Sequence, residues 1–285
     1  MSTLHKKIPA NTRGRDFIIG DLHGCLDLLE AEMARQQFDP SVDRMLSVGD
    51  LADRGPSSVA CLRLLNEPWF HAVRGNHEDM LLGYLPAPGS PIKPSPGAGA
   101  LLMRNGGQWV DALSRDELVE MKDVILPKVA ALPYVVTVGE GGQQFHIAHA
   151  ELLTTGPKEE KPSFWQRLTG SGNNRQEVRR VATDNMLDDT LLATMTEPIM
   201  WGRRLIKEVD TATSKTLETP QGPLLISQNA YNPGLSLTYV GHTPLPQMTL
   251  HASHMYVDRG AYLRNENSGL LMLDHQQVLG WLGLG

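Results

Sequence analysis

Side chains able to hold metal recur at the ends of short apolar runs. Asp21 and His23 close FIIGDLHG (17–24), Asp50 lies in MLSVGDLADRG (45–55), Asn76 in FHAVRGNHE (70–78), His149 in FHIAHAE (145–151) and His242 in LTYVGHTP (237–244). Singly, a Gly-Asp after such a run is a turn and a histidine a satisfied polar residue. As a set, the six offer only oxygen and imidazole donors, a mixture that suits manganese, iron or zinc in an open, high-coordination site. Six donors exceed what one catalytic ion takes if it must also hold water and substrate. The sequence therefore predicts two divalent ions bridged by Asp50, with Asp21 and His23 on one and Asn76, His149 and His242 on the other. Two ions roughly 3.5 to 4 Å apart can share a hydroxide, formed near neutral pH, and polarise a phosphoryl oxygen for in-line displacement. The leaving alkoxide then needs a proton from a histidine near the ions but outside their coordination shells. Arg54 and Arg74 flank two of the runs, and the guanidinium fork fits phosphate oxygens bidentately.

Each run has the length and composition of a buried strand. The donors would then lie just past the strands' carboxyl ends, where α/β sheets gather ligands. Leu22, Leu26, Leu29 and Met33 recur at helical spacing and predict a helix over 25–37. Pro56 heads a second over 56–66, with Val59, Leu62 and Leu65 on one face, and 77–85 can form a third. Strand, loop and helix thus alternate three times in the first 85 residues, predicting parallel βαβ units with right-handed crossovers. The later strands are more closely spaced and predict an antiparallel or mixed part. Two insertions interrupt the order. PAPGSPIKPSPGAGA (86–100) predicts an irregular loop, and GPKEEKPSFWQRLTGSGNNRQEVRR (156–180) a solvated segment with Phe164 and Trp165 as an apolar island. Residues 1–14 read as a polar extension.

With 285 residues, 41% hydrophobic and 20% charged, the chain can bury a large core and is neither fibrous nor disordered. A net charge of −6 argues against a nucleic-acid partner. Cys25 and Cys61, each inside a predicted helix, fit buried thiols in a reducing compartment rather than a disulfide. The N-terminus MSTLHKKIPANTRGRD lacks the apolar core of a signal peptide, and VAALPYVVTV (129–138) falls short of the roughly 20 residues that span a bilayer. The expectation is a soluble cytoplasmic protein, with no membrane association and no partner subunit implied.

GDLHG, GDLADRG and RGNHE, in that order and followed by single late histidines, resemble the metal-dependent phosphoprotein phosphatases. Within that superfamily the chain most resembles the lambda-type serine/threonine phosphatases of bacteria and phage. PWFHAVRGNHE (68–78), NGGQW (105–109), MWGRR (200–204), GHTP (241–244) and MYVDRGA (255–261) extend the resemblance over residues 15–275, expected to form one domain. It implies a metallophosphatase fold, a two-layered mixed β-sandwich flanked by helices, which refines the α/β expectation and keeps its βαβαβ N-terminal half. It also implies two divalent ions on the donors already named, manganese first, with iron, zinc or nickel as alternatives. By the same resemblance His77 is the general acid, oriented by Asp53, and Arg54, Arg74 and Arg203 hold the phosphoryl group. The implied substrates are phosphoserine and phosphothreonine of proteins or peptides, with phosphotyrosine and small phosphomonoesters beside them. The alternative activity is symmetrical hydrolysis of diadenosine tetraphosphate, carried by enzymes that resemble the same superfamily. The chain departs from the pattern at Glu151, where relatives often have Asp or Gly, and at Arg259, where a small hydroxyl residue is common. MWGRR also leaves Arg204 as an alternative to Arg203.

Overall fold

The computed structural model describes residues 3–90, 94, 96–157 and 177–284. In chain order its strands are β1 (His5–Ile8), β2 (Asp16–Ile19), β3 (Arg44–Ser47), β4 (Phe70–Ala72), β5 (Val135–Val138), β6 (Phe145–Ala148), β7 (Leu153–Pro157) and β8 (Glu177–Val181). They continue as β9 (Lys215–Thr219), β10 (Gly222–Ile226), β11 (Thr238–Val240), β12 (Met248–His251), β13 (His254–Tyr256) and β14 (Met272–Asp274). One sheet has eight strands in the order β1-β5-β6-β11-β13-β12-β10-β9; another has four, β14-β2-β3-β4; β7 and β8 form a two-stranded antiparallel ribbon.

The alternation read from the sequence produces the smaller sheet. β2, β3 and β4 are parallel, and helices α1 (Leu26–Arg35) and α2 (Ser58–Arg63) cross between them. Helix α3 (Asn76–Tyr84) follows β4. Side chains alternate faces along a strand, and the cores follow that alternation. Phe17 and Ile19 of β2 pack with Leu29 of α1, Leu62 of α2 and Met80 of α3, whereas Ile18 between them joins Val136, Ile147, Tyr239 and Met255 of the larger sheet. On that sheet's far face Val135, Ala148, Val240 and Tyr256 pack against Leu192, Ile199 and Met200, in helices at 189–194 and 196–201. The result is two face-packed sheets with helices outside both. Within the larger sheet β6, β11 and β13 are mutually parallel, so each sheet presents a row of carboxyl-terminal strand ends.

Three segments differ from the sequence reading. Residues 96–104 form a helix, α4 (Pro96–Arg104), which begins within the span 86–100 expected to be an irregular loop and runs past it. Proline suits the first position of a helix, and α4 lies against α3 where a Cβ on Gly99 would come within 2.9 Å of the Tyr84 ring. The glycines that suggest a loop permit a close helix contact. Residues His5–Ile8, within the expected polar extension, add an edge strand parallel to β5 with both lysines exposed, a common way to guard a sheet edge. Of the expected insertion at 156–180, the ends pair as β7 and β8, and 158–176, with Phe164 and Trp165, lie outside the described residues. No helix among the described residues is long and apolar enough to cross a membrane.

Candidate metal centre

The donors sit on tight turns leaving both rows of strand ends, and backbone bonds tie those turns together. Asp50 O accepts from His23 N at 2.8 Å and Leu22 N at 3.1 Å. Buried Glu78 accepts from Asp50 N (2.9 Å), Leu51 N (2.8 Å) and Gly75 N (2.9 Å), joining the loops after β3 and β4. Among the described residues nine non-glycines have positive φ, and five of them belong to this set: His23, Asp50, Asp53, Arg54 and His242. Such backbone strain costs on the order of 1–3 kcal/mol each and gathers at functional sites. Close packing also needs glycine at two points. A Cβ on Gly75 would lie 2.2 Å from Asp50 Oδ1, and one on Gly241 would lie 1.8 Å from Asp21 Oδ1.

The six predicted donors converge and are all buried. Asp50 Oδ1 is 3.4 Å from His149 Nε2, while Asp50 Oδ2 is 3.7 Å from His23 Nε2 and 3.8 Å from His77 Nε2. Asp21 Oδ2 lies 3.9 Å from His23 Nε2 and accepts from His242 N at 2.9 Å. Asn76 Oδ1 lies 2.9 Å from His149 Nε2 and 2.8 Å from His242 Nδ1. Asp50, His149 and His242 form one group of converging ligand atoms, and His23, Asp50 and His77 another, each within 4.8 Å.

The proton inventory shows what the cluster wants. His149 Nδ1 donates to Val48 O at 2.8 Å and His23 Nδ1 to Ala52 O at 3.0 Å, so in the neutral rings both Nε2 atoms carry lone pairs. Burial holds His149 below its ordinary pKa and His23 well below it, and carries His242 down to about 3, so these rings are neutral near pH 7. His149 Nε2 therefore faces the carbonyl oxygen of Asn76 lone pair to lone pair. His242 Nε2 is buried with no partner. Burial works to raise the Asp50 pKa, but the net shift is downward: the His77 backbone N–H bonded to Oδ1 and any positive charge on the surrounding histidines favour the carboxylate, which stays ionised. Acceptors converging around a carboxylate fit a divalent cation, and histidines held by backbone carbonyls are the usual form of an oriented metal ligand.

Beside this cluster lies a second chain of contacts. His77 Nδ1 is 2.5 Å from Asp53 Oδ2, and Trp109 Nε1 donates to Asp53 Oδ1 at 2.6 Å. Burial works to lower the His77 pKa, but the Asp50 and Asp53 charges prevail and raise it. Arg54 spans the mouth, with Nη1 2.7 Å from His23 Nε2 and Nη2 3.0 Å from His77 Nε2. The Tyr262 ring lies 4.3 Å from the Arg54 guanidinium and 5.1 Å, edge-on, from the His23 ring. Arg203 rests on the His242 loop through His242 O and Thr243 Oγ1, both at 3.3 Å. Arg204 instead pairs with Glu208, so Arg203 is the one beside the donors. Arg74 is not brought to them: Nη2 donates to Ala130 O at 2.5 Å, and the guanidinium sits 5.6 Å from the Tyr134 ring and 3.8 Å from Asp79.

Several residues that shape the site escape sequence reasoning. Glu78 and Trp109 lie in motifs quoted above, RGNHE and NGGQW, but only contacts give them work. Glu151 accepts from the backbone N–H groups of Arg204 (2.9 Å), Leu205 (2.7 Å) and Ile206 (3.3 Å). That departure from the common pattern thus anchors the segment carrying Arg203. Tyr262 has no sequence signal.

Residues 17–244 match the profile of the calcineurin-like phosphoesterases. The chain belongs to that family. Among curated relatives, serine/threonine-protein phosphatase 2 of Escherichia coli (strain K12) is 37% identical over 150 residues, 53% of this chain and 64% of that protein. Serine/threonine-protein phosphatase 1 of Salmonella typhimurium is 34% identical over 148 residues, 52% of this chain and 64% of that protein. The symmetrical bis(5'-nucleosyl)-tetraphosphatase of Chromohalobacter salexigens is 41% identical over 181 residues, 62% of this chain and 56% of that protein. The matches thus span less than two thirds of each relative's length. As a calcineurin-like phosphoesterase, the chain has a cluster able to hold the divalent metals that such hydrolases use.

Proposed function

We propose that this phosphoesterase hydrolyses phosphomonoesters of serine and threonine in proteins or peptides. We assign residues 15–275 to one catalytic domain and, in keeping with the buried free thiols Cys25 and Cys61, place it in the cytoplasm. Asp50, with its two oxygens facing His149 and His23, supports a shared ligand between two cations. Asp21 and His23 complete one site, and Asn76, His149 and His242 the other. Asn76 supplies a neutral oxygen, which limits negative charge where an anionic substrate must enter. Bound divalent cations, manganese first, would supply Lewis-acid polarisation of the phosphoryl group and a hydroxide nucleophile near neutral pH.

The carrying observation is the His77–Asp53 pair against the donor cluster. By position His77 could be a ligand, since a ring nitrogen lies with ligand atoms of His23 and Asp50 within 4.8 Å of one another. Its Nδ1 is committed to Asp53, however, and its raised pKa suits a group that takes up a proton at Nε2 and hands it on. We assign it the proton donated to the leaving oxygen. In this structure Nε2 accepts from Arg54, and incoming phosphate oxygens attract the guanidinium away, which frees that nitrogen to carry the proton as substrate arrives. Arg203 binds the phosphoryl group from the His242 side. Arg74, held by Ala130 O, must turn to take the same role.

The length of the match to a tetraphosphatase supports symmetrical cleavage of diadenosine tetraphosphate as the second reading. One comparison separates the two: specificity constants for a phosphoserine peptide, p-nitrophenyl phosphate and diadenosine tetraphosphate, with manganese, zinc, nickel or magnesium. A higher constant for the phosphopeptide is expected, and preference for the dinucleotide would overturn the first reading.

A further inference from the structure

Asp258 and Arg259 are neighbours with opposite surroundings. Asp258 is buried among the site loops, whereas Arg259 lines a cleft of about 460 Å³ with Pro244, Leu245, Leu263, Glu266 and Asn267. Arg259 donates from Nη2 to Asn267 O at 2.9 Å, and its Nε is buried without a partner. No carboxylate oxygen lies within 4.0 Å of its guanidinium among the described residues. Among the described residues this half-buried cation, set against apolar walls, is met by a carbonyl and no carboxylate, a setting that an added counter-charge improves.

The cleft adjoins the donor cluster on two sides. Pro244 stands two residues past His242, and Leu263 is next to Tyr262, whose ring covers Arg54 and His23. The turn Ala261–Leu263 therefore separates the two spaces, with Tyr262 facing the donors and Leu263 facing the cleft. A peptide whose phosphorylated side chain reaches the donors can cross this turn and set a neighbouring side chain beside Arg259.

We propose that the Arg259 cleft is a second anion subsite, which takes a glutamate or aspartate side chain of a phosphopeptide flanking the phosphorylated residue. This deepens the phosphomonoesterase reading and rests on it. A single guanidinium matches one carboxylate, and the walls of Pro244, Leu245 and Leu263 suit the methylenes of a peptide side chain. Exposed Glu266 on the rim disfavours a polyphosphate, whose several charges need several cations.

The test compares the wild-type chain with Arg259→Gln, in manganese, on four substrates. These are a phosphoserine peptide with flanking glutamates, the same peptide with glutamines, p-nitrophenyl phosphate and diadenosine tetraphosphate. Arg259→Gln should lower kcat/KM about tenfold on the acidic peptide, mainly through KM, the size expected for one lost charge-assisted bond. The glutamine peptide and p-nitrophenyl phosphate should stay within about twofold. Arg259→Lys should keep part of the preference, and Glu266→Gln should raise it. Equal losses on all substrates, or no loss on the acidic peptide, would overturn the subsite. A loss confined to diadenosine tetraphosphate would give the cleft to a second phosphate and overturn the peptide assignment. Wild-type protein that cleaves p-nitrophenyl phosphate but neither peptide sinks the phosphopeptide reading, and the subsite with it. Wild-type protein that cleaves both peptides equally well sinks the subsite alone.

Discussion

Trp109 and His77 touch opposite oxygens of one carboxylate: the indole N–H reaches Asp53 Oδ1 at 2.6 Å, and the imidazole Nδ1 lies 2.5 Å from Asp53 Oδ2. Asp53 is thereby held from both sides, and the Nε2 of His77 faces Asp50 and Arg54. If that nitrogen delivers the leaving-group proton, His77→Asn should slow phosphopeptide hydrolysis by about 10²- to 10⁴-fold. p-Nitrophenolate leaves without help, so the loss on p-nitrophenyl phosphate should be much smaller. Two cations per chain should remain by elemental analysis. Loss of one cation would make His77 a ligand instead.

Glu78 answers three backbone N–H groups at once, and burial followed by the nearby Asp50 charge carries its pKa to about 7. Glu78→Gln turns an amide N–H₂ toward donors and leaves at least one of them unsatisfied. The cost should be about 1–3 kcal/mol of stability, together with weaker metal binding because Asp50 loses its frame. Chemical denaturation of the metal-free variant and a metal titration measure the two effects separately. Unchanged stability would show that Glu78 is dispensable to the loops.

Gly241→Ala tests space rather than charge. Its methyl would overlap Asp21 Oδ1, and the backbone N–H of His242 is bonded to that same carboxylate. The variant should fold and lose affinity at the cation site that uses Asp21, visible as one tight ion where the wild type holds two. Full occupancy would mean that Asp21 can retreat and is not a required ligand.

Acid should weaken the metal-free protein well above the carboxylate range. His254 is wholly buried, donates from Nδ1 to Ala252 O and accepts from Leu152 N, and burial carries its pKa down to about 4. Burial also carries His71 and His275 to about 4. With an unfolded value near 6.5, the unfolded chain binds more protons between about pH 6.5 and pH 4, so stability falls as pH drops through that window. Each such histidine contributes a slope of about 1.4 kcal/mol per pH unit inside it. Urea midpoints from pH 7 to pH 4.5 should decline, and a flat profile would exclude neutral burial of these rings.

The donors are readable from sequence because each ends an apolar run, and a run that becomes a strand puts its successor at the sheet's edge. The βαβαβ half is readable for the same reason, since its period changes from two to helical within a few residues. Contacts that join distant segments are not. Trp109 meets Asp53 across 56 positions, and Tyr262 is 239 positions from the His23 ring it covers. The helix at 96–104 is hidden because propensity counts glycine against a helix, while a tertiary contact needs the space glycine leaves. Arg74 is placed by motif two residues before Asn76, yet its side chain follows the carbonyl of Ala130, which no local pattern encodes.

The donors are divided between the two sheets: Asp21, His23, Asp50 and Asn76 leave the four-stranded one, His149 and His242 the eight-stranded one. A cation held by Asp50, Asn76, His149 and His242 would act as a rivet through the sandwich, beside the direct bond from His242 N to Asp21, 221 positions away along the chain. Only the site of Asp50, Asn76, His149 and His242 draws on both sheets, so sliding or parting of the layers must release that ion first. Cations should therefore raise the unfolding midpoint in proportion to RT ln(1 + [L]/Kd), about 2.7 kcal/mol at a hundredfold excess over Kd for each site. They should also suppress proteolysis in both layers together, a result that differential scanning calorimetry and limited digestion, with and without chelator, can check.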